Sequence, residues 1–361
     1  MIREEKKMSY KAIEEWKMEE HKFGRTVTEK EMVDRTHQAW PYLFNAQGEY
    51  HEPELIDEII VGALDIHLHG APLGNWLKGR PPMEETCIQA SQAGMKALVF
   101  KDHNTMCNNC AIIIQNFLKK MQKEAAAKGE VFTPVEVFGG LTLNETVGGI
   151  NAKAVKVALG YGRCKEIWLP SLDAGYQQEA MGRTGGIFVT DGADLTKEMK
   201  EVLDVMADYN NNTKGDVVAL STCHVSNEEK FQVLDYVNKK GMNIKVIMDH
   251  VTQEMTLLTP EEAKQMIDMG AYLEFAETSC IEWPAMLGWI INYDYSMYLI
   301  KELLKEKGPD HLVLITDAGQ PNHEPVPGLK NFIRTLWAQG VSREHIEIML
   351  KDVPAMLIGL A

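Results

Sequence analysis

The chain has 361 residues, 45% hydrophobic and 25% charged, which suits one large globular domain with additions or two modest ones. Its formal net charge of -15 argues against nucleic acid and anionic membrane as main partners, since both call for a basic face. The six cysteines follow no paired framework, and Cys107 and Cys110 form the one CxxC. Thiols serving as small buried apolar groups in a reducing, cytoplasmic setting are expected.

Residues 1-54 open with two charged helical patterns, "YKAIEEWKMEEHKF" and "TEKEMVDRTHQAW", followed by the aromatic piece "PYLFNAQGEYHEP". The early charges precede no apolar core of the kind a secretory signal carries. This stretch reads as an N-terminal helical extension, a clasp on the main domain or a subunit interface, and suggests a homo-oligomer. No uninterrupted run of about 18 apolar residues occurs. The nearest, "AMLGWIINYDYSMYLI", is broken by Asn292 and Asp294.

From residue 55 to the C-terminus one rhythm repeats: a β-rich apolar run, a polar loop, then an amphipathic helical stretch. The runs are 61-69, 95-103, 135-144, 166-174, 216-225, 243-251, 271-279 and 311-319. Helical patterns lie between them, two of which open with capping boxes, Ser226 with Glu229 and Thr259 with Glu262; Pro260 takes the first helical position. Eight strand-helix units over some 300 residues predict an α/β fold of the (β/α)8 TIM-barrel type. A doubly wound sheet is the alternative, but no GxGxxG follows the first strand. The segment 175-195 after the fourth run reads as a hairpin over the barrel mouth.

The first run ends in "ALDIHLHGAP". Strict alternation puts Asp65, His67 and His69 on one face and Ile66 and Leu68 on the other. An isolated HxH is weak evidence of a metal site. The other strand ends strengthen it, because the second run closes on Lys101 and His103, the fifth on His224, the sixth on His250 and the eighth on Asp317. All five histidines between residues 52 and 310 therefore fall where a barrel collects its functional groups. Imidazoles and a carboxylate with room for water are what a hydrolytic metal centre needs; a polar mouth binding substrate without metal is the rival reading.

The pattern resembles the amidohydrolase superfamily of metal-dependent barrels, through Asp65-Ile66-His67-Leu68-His69, His224 in "STCHV", His250 in "IMDHV" and Asp317 in "ITDAG". More narrowly, "GALDIHLHGAP", "GLTLNETVGGIN" and "DVPAMLIGL" look like an uncharacterised branch of amidohydrolase-related proteins. The resemblance implies that His67, His69 and Asp317 hold one ion and His224 and His250 a second, with Asp317 also the proton acceptor. It implies a divalent metal, zinc first, with Mn2+, Fe2+ or Ni2+ as alternatives, and a small-molecule substrate carrying an amide, lactone or related carbonyl attacked by metal-activated water.

The chain departs from binuclear relatives at the fourth strand, where they place a carboxylated lysine or a glutamate that bridges the ions and this chain offers "WLPSLDA", with Asp173 and no lysine. Lys101 is then either a carbamylated bridge or an ammonium that meets substrate. His103, Asn144 and Asp173 are candidate substrate-binding groups, His103 also as a partner of a ligand imidazole. Of Glu274 and Glu277, an odd number of positions apart, at most one enters the barrel. His323 reads as a rim residue. The missing bridge leaves open a mononuclear isomerase or decarboxylase, and a third reading is a non-catalytic metal-binding or assembly protein.

Overall fold

The computed structural model describes residues 53-74, 79-253, 255-280, 293-321 and 323-361. The expected extension therefore lies outside the described residues, apart from Pro53 and Glu54, which open the helix α1 (Pro53-Ile60). Eight parallel strands follow, seven of them inside an apolar run and β4 starting two residues before its own: β1 (Leu64-Leu68), β2 (Ala97-Phe100), β3 (Glu136-Thr142), β4 (Cys164-Trp168), β7 (Ala219-Ser221), β8 (Val246-Met248), β9 (Tyr272-Ala276) and β10 (Leu312-Ile315). They pair in that order and, with helices between them, make the (β/α)8 barrel. Among the described residues no helix is long and apolar enough to cross a membrane.

Alternation along the strands builds two cores. Leu98, Phe100, Val137, Leu220, Leu273 and Leu314 face outward onto the helices. Leu64, Ile66, Val99, Trp168, Ile247 and Val313 fill the barrel, closed from below by Val353, Leu357 and Ile358 of the C-terminal helical segment. Both capping boxes form, at α7 (Asn227-Lys240) and α8 (Pro260-Asp268).

Two expectations are corrected. The segment after β4 is first a short helix, α5 (Gly175-Ala180), and the hairpin is confined to β5 (Thr190-Asp191) and β6 (Asp194-Leu195). In β1 the face assignment fails, because the register against β2 slips between Asp65 and Leu68. This bulge lets Ile66 join the interior core while His67 still points inward, and Leu68 packs outside. Asp65 serves the seam where β10 meets β1: its oxygens accept from Thr316 N at 3.2 Å and Thr316 Oγ1 at 2.5 Å. Backbone bonds from Asp317 N to His67 O and from His69 N to Ala318 O continue that closure to the mouth. Gly319 permits it, since a Cβ there would lie 1.8 Å from the His69 carbonyl oxygen.

Candidate metal centre

His67 and His69 leave β1 with ring centroids 5.9 Å apart, His67 and His250 lie 5.5 Å apart, and His250 and His224 lie 5.2 Å apart. Asp317 sits against this arc, its Oδ1 3.1 Å from His69 Nε2 and 3.5 Å from His67 Nε2. All five are buried. The strand ends that deliver them are conformationally costly: Cys223, His250 and Asp317 adopt left-handed backbone at φ 51°, 30° and 52°.

Each imidazole is held from behind through Nδ1. His67 Nδ1 faces Glu274 Oε2 at 2.9 Å, His69 Nδ1 the Lys101 carbonyl at 2.9 Å, His250 Nδ1 the Thr256 hydroxyl at 2.9 Å, and His224 Nδ1 the Gln177 Oε1. Thr256 Oγ1 gives its own hydrogen to the His250 carbonyl, so it accepts from the ring. With the proton on Nδ1, the lone pair of each ring is on Nε2.

Burial holds His67, His69 and His224 below the usual histidine range and His250 down at about 4, so the rings are neutral. Burial alone would raise the Asp317 carboxyl, but His67, His69 and His250 outweigh it and hold the group well below the carboxylate range. His69 Nε2 and Asp317 Oδ1, in hydrogen-bond contact at 3.1 Å, are both atoms that a cation between them could take as ligands.

The residues fit one. Donors about 2.0-2.2 Å from a tetrahedral ion lie roughly 3.0-3.5 Å from each other, the spacing seen from Asp317 Oδ1 to the two imidazoles. Two groups bring their donor atoms within 4.8 Å of one another, His67 with His69 and Asp317, and His67 with Asp249 and His250. His224 belongs to neither, although it adjoins His250. Asp249 precedes His250 in "IMDHV" but has no role in the resemblance; its Oδ1 accepts from Cys223 N at 2.9 Å and its Oδ2 lies 3.5 Å from Lys101 Nζ.

Lys101 reaches into the centre from β2, Nζ 3.0 Å from His67 Nε2 and 5.8 Å from the centre of the Trp168 ring. Burial opposes its charge, but Cys223, Asp249 and Asp317 outweigh that and hold the amine above the usual lysine range. Trp168 is the inward residue at the end of β4, admitted because Gly140 leaves room beside it. The interior carboxyl of β4 is Glu166, bonded by Ser221.

The three candidate substrate groups are arranged differently. Asn144 donates to the His103 carbonyl and Ser171 Oγ and accepts from Ser171 N and Asp173 N, so its amide is fully engaged. Asp173 Oδ2 accepts from Glu145 N at 2.8 Å. His103 bonds Ser171 Oγ through Nδ1 and stacks on His69 at 5.0 Å; the hydrogen-bond partner of His69 is the Lys101 carbonyl, not His103. Glu274 turns into the barrel, whereas Glu277 pairs with His323, which is buried and not a rim residue. Gln177, Gln253, Thr256 and Glu274 carry no motif of their own; their partners lie on other strand-helix units or across a loop.

Solved structures share the fold. A mutant of a Deinococcus radiodurans PTE-like lactonase is 15% identical, the match covering 83% of this chain and 96% of that one with a TM-score of 0.52. A probable 2-pyrone-4,6-dicarboxylic acid hydrolase from Acinetobacter baumannii, with citric acid bound, is 12% identical over 83% and 100%, TM-score 0.51. A β-aspartyl dipeptidase from Fervidobacterium islandicum AW-1 is 11% identical over 82% and 72%, TM-score 0.53. These are amidohydrolase superfamily proteins, the group the motifs resemble, and at such identities the likeness is one of fold. No curated protein matches the chain. The sequence model of the family of unknown function DUF6282 matches residues 62-274, more than half of the chain and every site residue named above from His67 to Glu274, and the chain belongs to that family.

Proposed function

We propose that the protein is a metal-dependent hydrolase acting on an amide, lactone or related carbonyl of a small molecule. The carrying observation is that four buried imidazoles, each engaged through Nδ1, gather beside the Asp317 carboxylate, with Asp317 Oδ1 3.1 Å from His69 Nε2 and 3.5 Å from His67 Nε2. His67, His69 and Asp317 would hold one divalent ion; His250, with Asp249 and His224 beside it, offers donors for a second. Zinc suits nitrogen and carboxylate donors in a compact shell. Such an ion, when bound, polarises a carbonyl and acidifies water.

The chain's own groups account for the proton. Asp317 is ionised and faces the space, so it is the acceptor for a proton released by attacking water. Gln253 Nε2 donates to Asp317 Oδ2 at 2.9 Å and fixes the plane of the carboxylate. The ammonium of Lys101, balanced by Asp249, is suited to an anionic part of the substrate or to charge developing on its oxygen. His103 lines the same mouth through its stack on His69.

Metal analysis of protein purified without chelator, together with a panel of amides, lactones, cyclic imides and esters, tests the reading. Bound metal with turnover on one class is expected. Metal without hydrolysis on any class favours the isomerase or decarboxylase alternative, and absence of both sinks the enzyme assignment. Lys101→Ala with metal counting separates the two states of that lysine. Unchanged metal with weakened substrate binding is expected for the ammonium, whereas a fall from two ions to one, restored by a short carboxylic acid, identifies a carbamate bridge. Self-association and a cytoplasmic location stay part of the proposal, measurable by light scattering and fractionation.

A further inference from the structure

The four groups behind the imidazoles are not equivalent. His69, His250 and His224 meet a carbonyl, a hydroxyl and an amide, all neutral, whereas His67 meets the carboxyl of Glu274. His67 is also the residue common to both compact donor groups, with His69 and Asp317 in one and with Asp249 and His250 in the other. Its ring orientation bears on the whole centre. We propose that Glu274 is a positioning residue that sets the tautomer and orientation of His67, and through it the affinity of the centre for a divalent cation. This rests on the metal reading above.

The geometry follows from β9. Tyr272 and Ala276 join the interior core and Leu273 and Phe275 the outer one, so Glu274 between them points into the barrel beneath the histidines. Both partners of the 2.9 Å contact are wholly buried. Among the described residues it is the one side-chain hydrogen bond of Glu274, whose Oε1 is buried without a partner. A carboxyl in such a position is costly to bury, and its one engaged oxygen is spent on His67.

A neutral imidazole carries one N-H. Held on Nδ1 by Glu274, it leaves the lone pair on Nε2, which lies 3.0 Å from Lys101 Nζ and 3.5 Å from Asp317 Oδ1. With no acceptor behind the ring, the proton is free to move to Nε2 and remove the ligand. A carboxyl oxygen that accepts the Nδ1 proton fixes the plane of the ring and makes its Nε2 a better ligand. The carboxyl is thus placed behind the ring whose setting affects most donors.

The test compares wild type, Glu274→Gln, Glu274→Leu and Gln177→Leu, each stripped and titrated with Co2+ against a chromophoric chelator, with the melting temperature of the metal-free protein recorded. Glu274→Gln, close in shape, should weaken Co2+ binding about 10-fold and Glu274→Leu about 100-fold. Gln177→Leu, which removes a neutral partner, should have a smaller effect than Glu274→Leu. Adding Glu274→Gln to His67→Ala should produce no further loss, because the residue acts through that ring. Glu274→Gln bound within twofold of wild type, or a full additional loss on the His67→Ala background, overturns this inference while leaving the metal reading intact. A wild type that takes up no ion overturns both.

Discussion

The two sides of the barrel mouth use polar residues in opposite ways. On the side formed by β1, β7, β8 and β10, His67, His69, His224, His250 and Asp317 are held from behind and leave acceptor atoms facing a common space. On the side of the loops after β2, β3 and β4, His103, Asn144, Ser171 and Asp173 bond one another and the backbone until the Asn144 amide has no capacity left. Both sides are rich in polar side chains near the mouth. The Asn144 amide, with every bond made, is scaffolding, whereas acceptor atoms held in place toward one space mark a site.

The largest expected effect tests the first side. Asp317→Asn should retain most of the metal, since the imidazoles remain, yet lose turnover by roughly 10² or more because the proton acceptor is gone. Metal analysis and kinetics on the same preparation check this; full activity would remove Asp317 from the proton-transfer step. On the other side, Asn144→Ala should cost stability, about 2-3 kcal/mol for a buried amide whose partners are left unsatisfied, with metal content unchanged. Denaturant unfolding reads that loss. A stable variant with reduced metal would reverse the contrast between the two sides.

A smaller effect sharpens the same contrast behind the metal-facing side. Lys230 on α7 is wholly buried, donates to Asn227 Oδ1 at 3.0 Å and the Thr256 carbonyl at 3.4 Å, and is pushed down by burial to about 8 from the ordinary lysine value of 10.5. Below pH 8 both folded and unfolded chains carry the proton, and the burial penalty is fully present. Between pH 8 and 10.5 the folded chain loses the proton first, so stability should rise with pH, by on the order of 3 kcal/mol across that window. Lys230→Met should lack this rise, and the difference between the two unfolding curves against pH isolates it. Parallel curves would show that the amine titrates normally.

Much of the molecule is legible in its linear order of residues. Seven of the eight strands lie inside their apolar runs and the fourth overlaps its run, starting two residues earlier; both capping boxes form where Ser226-Glu229 and Thr259-Glu262 predict them, and the histidines converge because parallel strands of one barrel all end at one face. Alternation also turns Glu274 inward and separates it from Glu277. These features depend on the period of a strand and on residues a few positions apart, which a linear sequence records directly.

Other features depend on partners that the sequence keeps far apart. The bulge in β1, which moves Asp65 to the seam and brings Ile66 inside, is set by how β1 fits β2 and β10, not by the period of its own residues. Glu274 meets His67 across 207 positions, and Gln177 meets His224 from a helix inserted after another strand. Asp249 and Trp168 take their places only once the barrel closes. By itself, the sequence determined which residue types end each strand, because that is a matter of local spacing. Only the tertiary structure decided which polar atoms are used up and which remain, because hydrogen-bond satisfaction is counted over neighbours in space.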